Sequence, residues 1–112
     1  MGYYVRSLEG LITVTPENVD KALEAISAKL EETYESLENA LWDNQFEFEK
    51  DDEGYFRIYS FDDKWREQDN LLYALMPFAT EESYMAFMGE EAEIFVWTTE
   101  GSKDGEITWE GK

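Results

Sequence analysis

The stretch Phe46-Glu47-Phe48-Glu49-Lys50-Asp51-Asp52-Glu53-Gly54-Tyr55-Phe56-Arg57-Ile58-Tyr59-Ser60-Phe61 decides the fold class. Phe46 to Glu49 alternate aromatic and acid with a period of two, the pattern of a strand with one buried face. Asp51-Asp52-Glu53-Gly54 is turn chemistry, and Tyr55 to Phe61 is a second, aromatic-rich strand, so the whole reads as a β-hairpin. Tyr55, Arg57, Tyr59 and Phe61 are expected on one face of that strand, with Phe56, Ile58 and Ser60 on the other. Both faces are partly apolar. One is expected under helices and the other open to a second sheet or chain, which makes a homodimer one expected assembly.

Toward the N-terminus, Tyr3 to Val14 reads as a strand interrupted at Glu9-Gly10, either one bulged strand or two short ones. Thr15-Pro16-Glu17 then supplies a capping hydroxyl, a proline at the first helical position and a first-turn acid. Val19, Ala22, Leu23, Ile26 and Leu30 follow at three- and four-residue steps, giving a helix with one apolar face. A second helical pattern, Glu31 to Asn44, carries Tyr34, Leu37, Ala40 and Leu41. It either continues the first helix or follows a short break near Thr33 or Ser36.

Toward the C-terminus, Asp69 or Asn70 is placed to cap a third helix carrying Leu71, Leu72, Leu75 and Met76, with Pro77 near its end. Tyr84 to Met88, Ile94 to Thr99 and Glu106 to Trp109 read as strands, separated by turns at Gly89-Glu90-Glu91 and Gly101-Ser102-Lys103-Asp104-Gly105. The expected fold is α+β: a ferredoxin-like βαββαβ core with an extra helix and added C-terminal antiparallel strands, its helices on one sheet face. At 112 residues and 43% hydrophobic content, with no linker or repeat, residues 1–112 are expected to form one acidic domain.

The extreme quantity is charge. The chain has 27 acids, 9 bases and a formal net charge of −18. Nucleic acid and anionic lipid would be repelled by such a surface, so basic partners are expected instead. The charge is unevenly placed, with four acids against three bases in residues 1–30 and the remaining 23 acids against six bases beyond them. No signal-peptide pattern opens the chain and no apolar stretch approaches the ~20 residues of a membrane span, so the expected location is cytoplasmic.

The chain contains neither cysteine nor histidine. Disulfides, thiolate metal sites, thiol nucleophiles and the usual general base near neutral pH are thereby excluded. The serines lie in no nucleophile-elbow pattern and no glycine-rich phosphate loop is present, so the chain is not expected to be an enzyme. Asp51-Asp52-Glu53-Gly54 and Asp62-Asp63 are the carboxylate clusters nearest to a cation site, but neither has the ligand spacing of an EF-hand loop. No metal and no cofactor are expected.

Glu31, Glu32, Glu35, Glu38, Asp43, Glu47 and Glu49 fall in a stretch without a single base. If the stretch is helical, Glu31, Glu35 and Glu38 share one face, where like charges lower helix stability by a few tenths of a kcal/mol per pair. Carboxylates ~5–6 Å apart along such a rod would imitate successive phosphates and engage Lys or Arg of a nucleic-acid-binding protein. Glu90, Glu91 and Glu93 form a second acidic group at one end of the sheet. The competing account of both groups is a surface charged for solubility in a small accessory or structural protein. Trp42, Trp65, Trp97 and Trp109 divide between core packing and a contact patch.

Tyr3-Tyr4-Val5, Ser83-Tyr84, Gly89-Glu90-Glu91 and Val96-Trp97 together resemble the layout of small uncharacterised bacterial and phage proteins. In size and charge, and in no motif, the chain also resembles phage anti-restriction and anti-CRISPR inhibitors that imitate DNA. That resemblance implies a non-enzymatic inhibitor occupying a basic groove. Because the apolar content suffices for a core without a metal, addition of a chelator should leave the thermal unfolding midpoint unchanged. Calorimetry with and without EDTA checks this.

Overall fold

The computed structural model describes residues 3–104. Tyr3–Val14 forms one long strand, β1, rather than two. Val5, Ile12 and Val14 on it have no solvent exposure. It stays continuous by absorbing irregularities: Ser7 faces Phe87 while Glu9 faces Ala86, so Leu8 is an extra residue on that side. Gly10, at φ 120°, lies so close to the neighbouring chain that a Cβ would press into the Tyr84 carbonyl oxygen and sit 2.7 Å from the Met85 Cα.

Helix α1 spans Pro16–Leu30 and buries Ala22 and Ile26. The Thr15 hydroxyl expected to cap it makes no cap hydrogen bond; the Thr15 carbonyl accepts instead from the Asn18 amide at 2.9 Å. The helix stops at Glu31, which adopts a left-handed conformation (φ 56°) and donates its amide to the Ser27 carbonyl. A second helix, α2, then covers only Leu37–Asp43. Its start is fixed by the Ser36 hydroxyl, which accepts from the Asn39 amide at 3.1 Å.

The expected hairpin is present as β2, Phe46–Lys50, and β3, Phe56–Trp65, in antiparallel pairing. One detail of its reading is corrected. Glu47 pairs with Ser60 and Phe48 with Ile58, leaving Tyr59 as a bulge residue. The bulge reverses face parity, so Phe61 joins Phe56 and Ile58 in the core while Tyr59 is exposed.

Helix α3 spans Gln68–Leu75, and a short 3₁₀ turn, Met76–Phe78, holds Pro77. Its cap position is Glu67, not Asp69 or Asn70. The helix is anchored by Gln68, 1% exposed, whose amide group donates to the Asn44 carbonyl at 3.0 Å and whose oxygen accepts from the Arg66 amide.

Strand β4 is Tyr84–Gly89 and β5 is Ile94–Thr98. Gly101–Asp104, whose composition suggests a turn, is a strand, β6, paired with β5. A tight reversal at Thr99-Glu100 makes this possible, with Gly101 at φ 114°. The strand expected over Glu106 to Trp109 lies outside the described residues.

The result is an α+β protein whose described residues form a six-stranded antiparallel sheet in the order β2-β3-β1-β4-β5-β6 and three α-helices. That order is not the one of a bare four-stranded ferredoxin-like sheet, because β5 and β6 continue it beyond β4. One face carries the apolar core against the helices. Within it an aromatic row crosses the strands, with ring centroids 5.0 Å apart for Phe46 and Phe61, 6.4 Å for Phe61 and Phe87, and 5.3 Å for Phe87 and Phe95. The opposite sheet face is uncovered and shows Tyr4, Leu11, Tyr59 and Tyr84. Among the described residues no helix is long and apolar enough to cross a membrane.

Gly10→Ala should cost about 1–3 kcal/mol, because it combines backbone strain with a clash against backbone that cannot move aside. The urea midpoint should fall at unchanged m-value, measured by circular dichroism.

Candidate functional site

The acidic stretch from Glu31 to Glu49 is not one rod. Glu31 terminates α1, Glu32 and Glu35 lie on the connection to α2, Glu38 and Asp43 are on α2, and Glu47 and Glu49 are on β2. The expectation that Glu31, Glu35 and Glu38 share a helical face is therefore overturned. The turn at Glu31 breaks the register on which the spacing depended. What the fold does bring together, around Trp42, is Glu32, Glu35 and Asp43 on one side and Glu47 on the other; Glu31 and Glu49 are exposed but line neither group.

Trp42 borders both groups and is 76% exposed, the most open large apolar side chain among the described residues. Leu37, Ala40 and Leu41 bury the inner face of α2, and Trp42 projects ~100° further round the helix than Leu41. Phe48 meets its ring edge-on at 6.4 Å and stacks in turn on Phe56 at 5.7 Å. The chain reversal after α2 is held by Asn44, whose side chain donates to the Ala40 carbonyl at 2.8 Å, and by the Gln45 amide, which donates to the Trp42 carbonyl at 3.0 Å.

A cleft lies on each side of the indole. The larger, about 450 Å3, is lined by Trp42, Phe48, Tyr59, Glu47, Asp62 and Asp63. The smaller, about 340 Å3, is lined by Trp42, Tyr34, Glu32, Glu35, Asn39 and Asp43. Carboxylates from both sides thus flank one exposed aromatic ring. Sequence reasoning grouped Trp42 with the other tryptophans and treated Asp62-Asp63 only as a cation site. The helical wheel of α2, drawn from Leu37, would have separated Trp42 from the core.

The surface keeps little internal compensation. Among the described residues the ion pairs are Lys50 with Glu38 at 3.1 Å and Arg57 with Asp51 at 3.0 Å. Burial pushes the Glu38 carboxyl up, but its own amide, Lys50 and Ser36 outweigh this and leave it below its ordinary value. Glu90, Glu91 and Glu93 lie apart, at the β4–β5 turn. Glu93 accepts the Glu91 amide at 3.1 Å and lines a separate cavity with Tyr3 and Trp65.

Asp51 is spent on its own hairpin. One carboxylate oxygen accepts the Glu53 and Tyr55 amides at 2.9 and 3.0 Å, and the other accepts Arg57 at 3.0 Å. Among the described residues no group of three or more acids is arranged to hold a metal ion. No protein-family model matches the chain, and searches of curated proteins and of solved structures returned no match.

The hydrogen bond from the Tyr55 amide, then Arg57, holds the Asp51 carboxyl below its ordinary value of 3.8. A lowered folded-state value means stabilisation that is present above the unfolded value and lost as pH falls through the folded one. Asp51→Asn should therefore be less stable than the parent at neutral pH, and its stability should vary less with pH in the acid range below about 4. Denaturant titrations across that range check both.

Proposed function

We propose that this chain is a non-enzymatic binding module that docks its acidic surface on a basic surface of another protein, in the cytoplasm. The observation that carries this reading is the placement of Trp42, in edge-on contact with Phe48 and exposed between two carboxylate-lined clefts. Exposed tryptophan with a charged rim is the composition of an interface centre. Solubility alone would not select for it, since an exposed indole lowers solubility.

The basic surface fits the class by which proteins hold nucleic-acid phosphates. Carboxylates dispersed over a loop, a short helix and an edge strand would then stand where phosphates otherwise bind, in place of the regular helical row expected from sequence. We also assign β2-β3-β1-β4, with its helical connections, to a ferredoxin-like core. This is supported by the order of those four strands, with β5 and β6 as an addition. A homodimer through the open sheet face is disfavoured, because each copy would bring a net charge of −18.

The test compares two triple reversals with the same change in net charge. Glu32→Lys, Glu35→Lys and Asp43→Lys alter the proposed surface; Glu81→Lys, Glu82→Lys and Glu100→Lys alter exposed acids elsewhere. Binding to immobilised protamine should fall at least about tenfold more in the first variant, mainly through slower association, and the parent's binding should weaken steeply with salt. Equal losses in the two variants would mean that charge acts only in bulk, as the solubility account requires.

A further inference from the structure

The groove between Trp42 and Tyr59 goes further than the general reading, on which it rests. Its lining combines the aromatic rings of Trp42, Phe46, Phe48 and Tyr59 with the carboxylates of Glu47, Asp62 and Asp63. Tyr59 is 49% exposed because it alternates with the buried Phe56 and Ile58 and so falls on the open face of β3. Asp62 is oriented by the Tyr4 hydroxyl, which donates to it. Arg6 faces Asp62 in strand register, yet no ion pair forms between them.

The same protein twice seats a cation between a ring and a carboxylate. The Lys50 ammonium lies 5.4 Å from the Phe56 ring centre while pairing with Glu38, and the Arg57 guanidinium lies 5.5 Å from the Tyr55 ring centre while pairing with Asp51. The groove has the same two components and, among the described residues, no cation of its own over its rings.

We infer that Trp42 anchors the interface and that the Trp42–Tyr59 groove receives an arginine side chain of the basic partner, its guanidinium on the indole face and its N–H groups on Glu47, Asp62 or Asp63. Charge complementarity selects a cation. The indole is the ring that attracts a cation most strongly. Arginine is favoured over lysine because a planar, weakly hydrated guanidinium stacks on a ring and keeps its in-plane donors for carboxylates.

The probes are two blocked octapeptides of equal charge, alternating arginine with glycine or lysine with glycine, titrated at low salt into the whole ¹⁵N-labelled protein. The arginine peptide should bind several-fold more tightly, and the Trp42 indole N–H resonance, identified with Trp42→Phe, should shift on its addition. Trp42→Ala should weaken that binding about tenfold. Its thermal midpoint should stay near the parent's, because the side chain is exposed; Trp42→Phe should fall between the two in affinity.

Equal affinity for parent and Trp42→Ala would overturn the groove while leaving the acidic surface standing. Equal or tighter binding of the lysine peptide would overturn the choice of arginine. If neither peptide binds, the groove and the basic-partner reading fall together. A concentration-dependent dimer in sedimentation that Trp42→Ala dissociates would give the groove to a second copy and overturn the assignment.

Discussion

A strand that is hydrogen-bonded on both edges has no freedom to shift its register without moving its whole apolar set. Here that strand is β1, between β3 and β4, and its Val5, Ile12 and Val14 are wholly enclosed. Its two neighbours do not run in simple step with it, and the mismatch is taken up at Leu8 and around Gly10. Once β1 is held in this way, β3 must present Phe56, Ile58 and Phe61 on the helix side, and its bulge at Tyr59 follows from that demand. The groove beside Trp42 takes one of its walls, Tyr59, from the face of β3 opposite Phe56 and Ile58, so its shape depends on how the middle of the sheet is closed.

Much of this was readable in the residues. The Phe46–Phe61 hairpin declares itself by strict alternation around an acidic turn, and Pro16 with the Val19–Leu30 periodicity gives α1 almost to the residue. What sequence patterns miss is a break in their own period. Helical spacing runs on past Leu30 and leaves two readings, a continuous helix or a break near Thr33 or Ser36; the chain breaks, turning at Glu31 through a left-handed conformation that ordinarily belongs to glycine or asparagine and restarting after Ser36. Strand parity likewise cannot reveal the inserted Tyr59, since a bulge is decided by both partners. Gly101-Ser102-Lys103-Asp104 has turn composition and becomes a strand because β5 offers it an unpaired edge. For the candidate surface, the acids were legible individually. Their arrangement was not, because it depends on where α1 ends and how α2 is rotated.

Three of the nine cations are held beside aromatic rings. Lys29 lies 4.8 Å from the Tyr73 ring centre, and Lys50 and Arg57 each sit between a ring and a carboxylate. They stabilise local packing, and the exterior field belongs to the acids by number, 27 against 9 bases. With no histidine in the chain, that field has no side chain whose ordinary titration falls near neutrality. Salt concentration, not modest acidification, is the variable to which such a surface responds.

The position of β1 in the sheet also sets an order of events during synthesis. It precedes the other described strands, yet Ile12 must wait for Ile58, and Val5 for both Asp63 and Gly89, before they are paired. The β2–β3 and β4–β5 hairpins close over short loops and can form as soon as they emerge, whereas β1 waits for nearly the whole described chain. During that interval an unpaired, apolar strand is exposed to neighbouring nascent chains, the circumstance in which edge-to-edge association competes with folding. The acids that follow it, translated before β3 and β4 are complete, give each growing chain a like charge that keeps its neighbours apart.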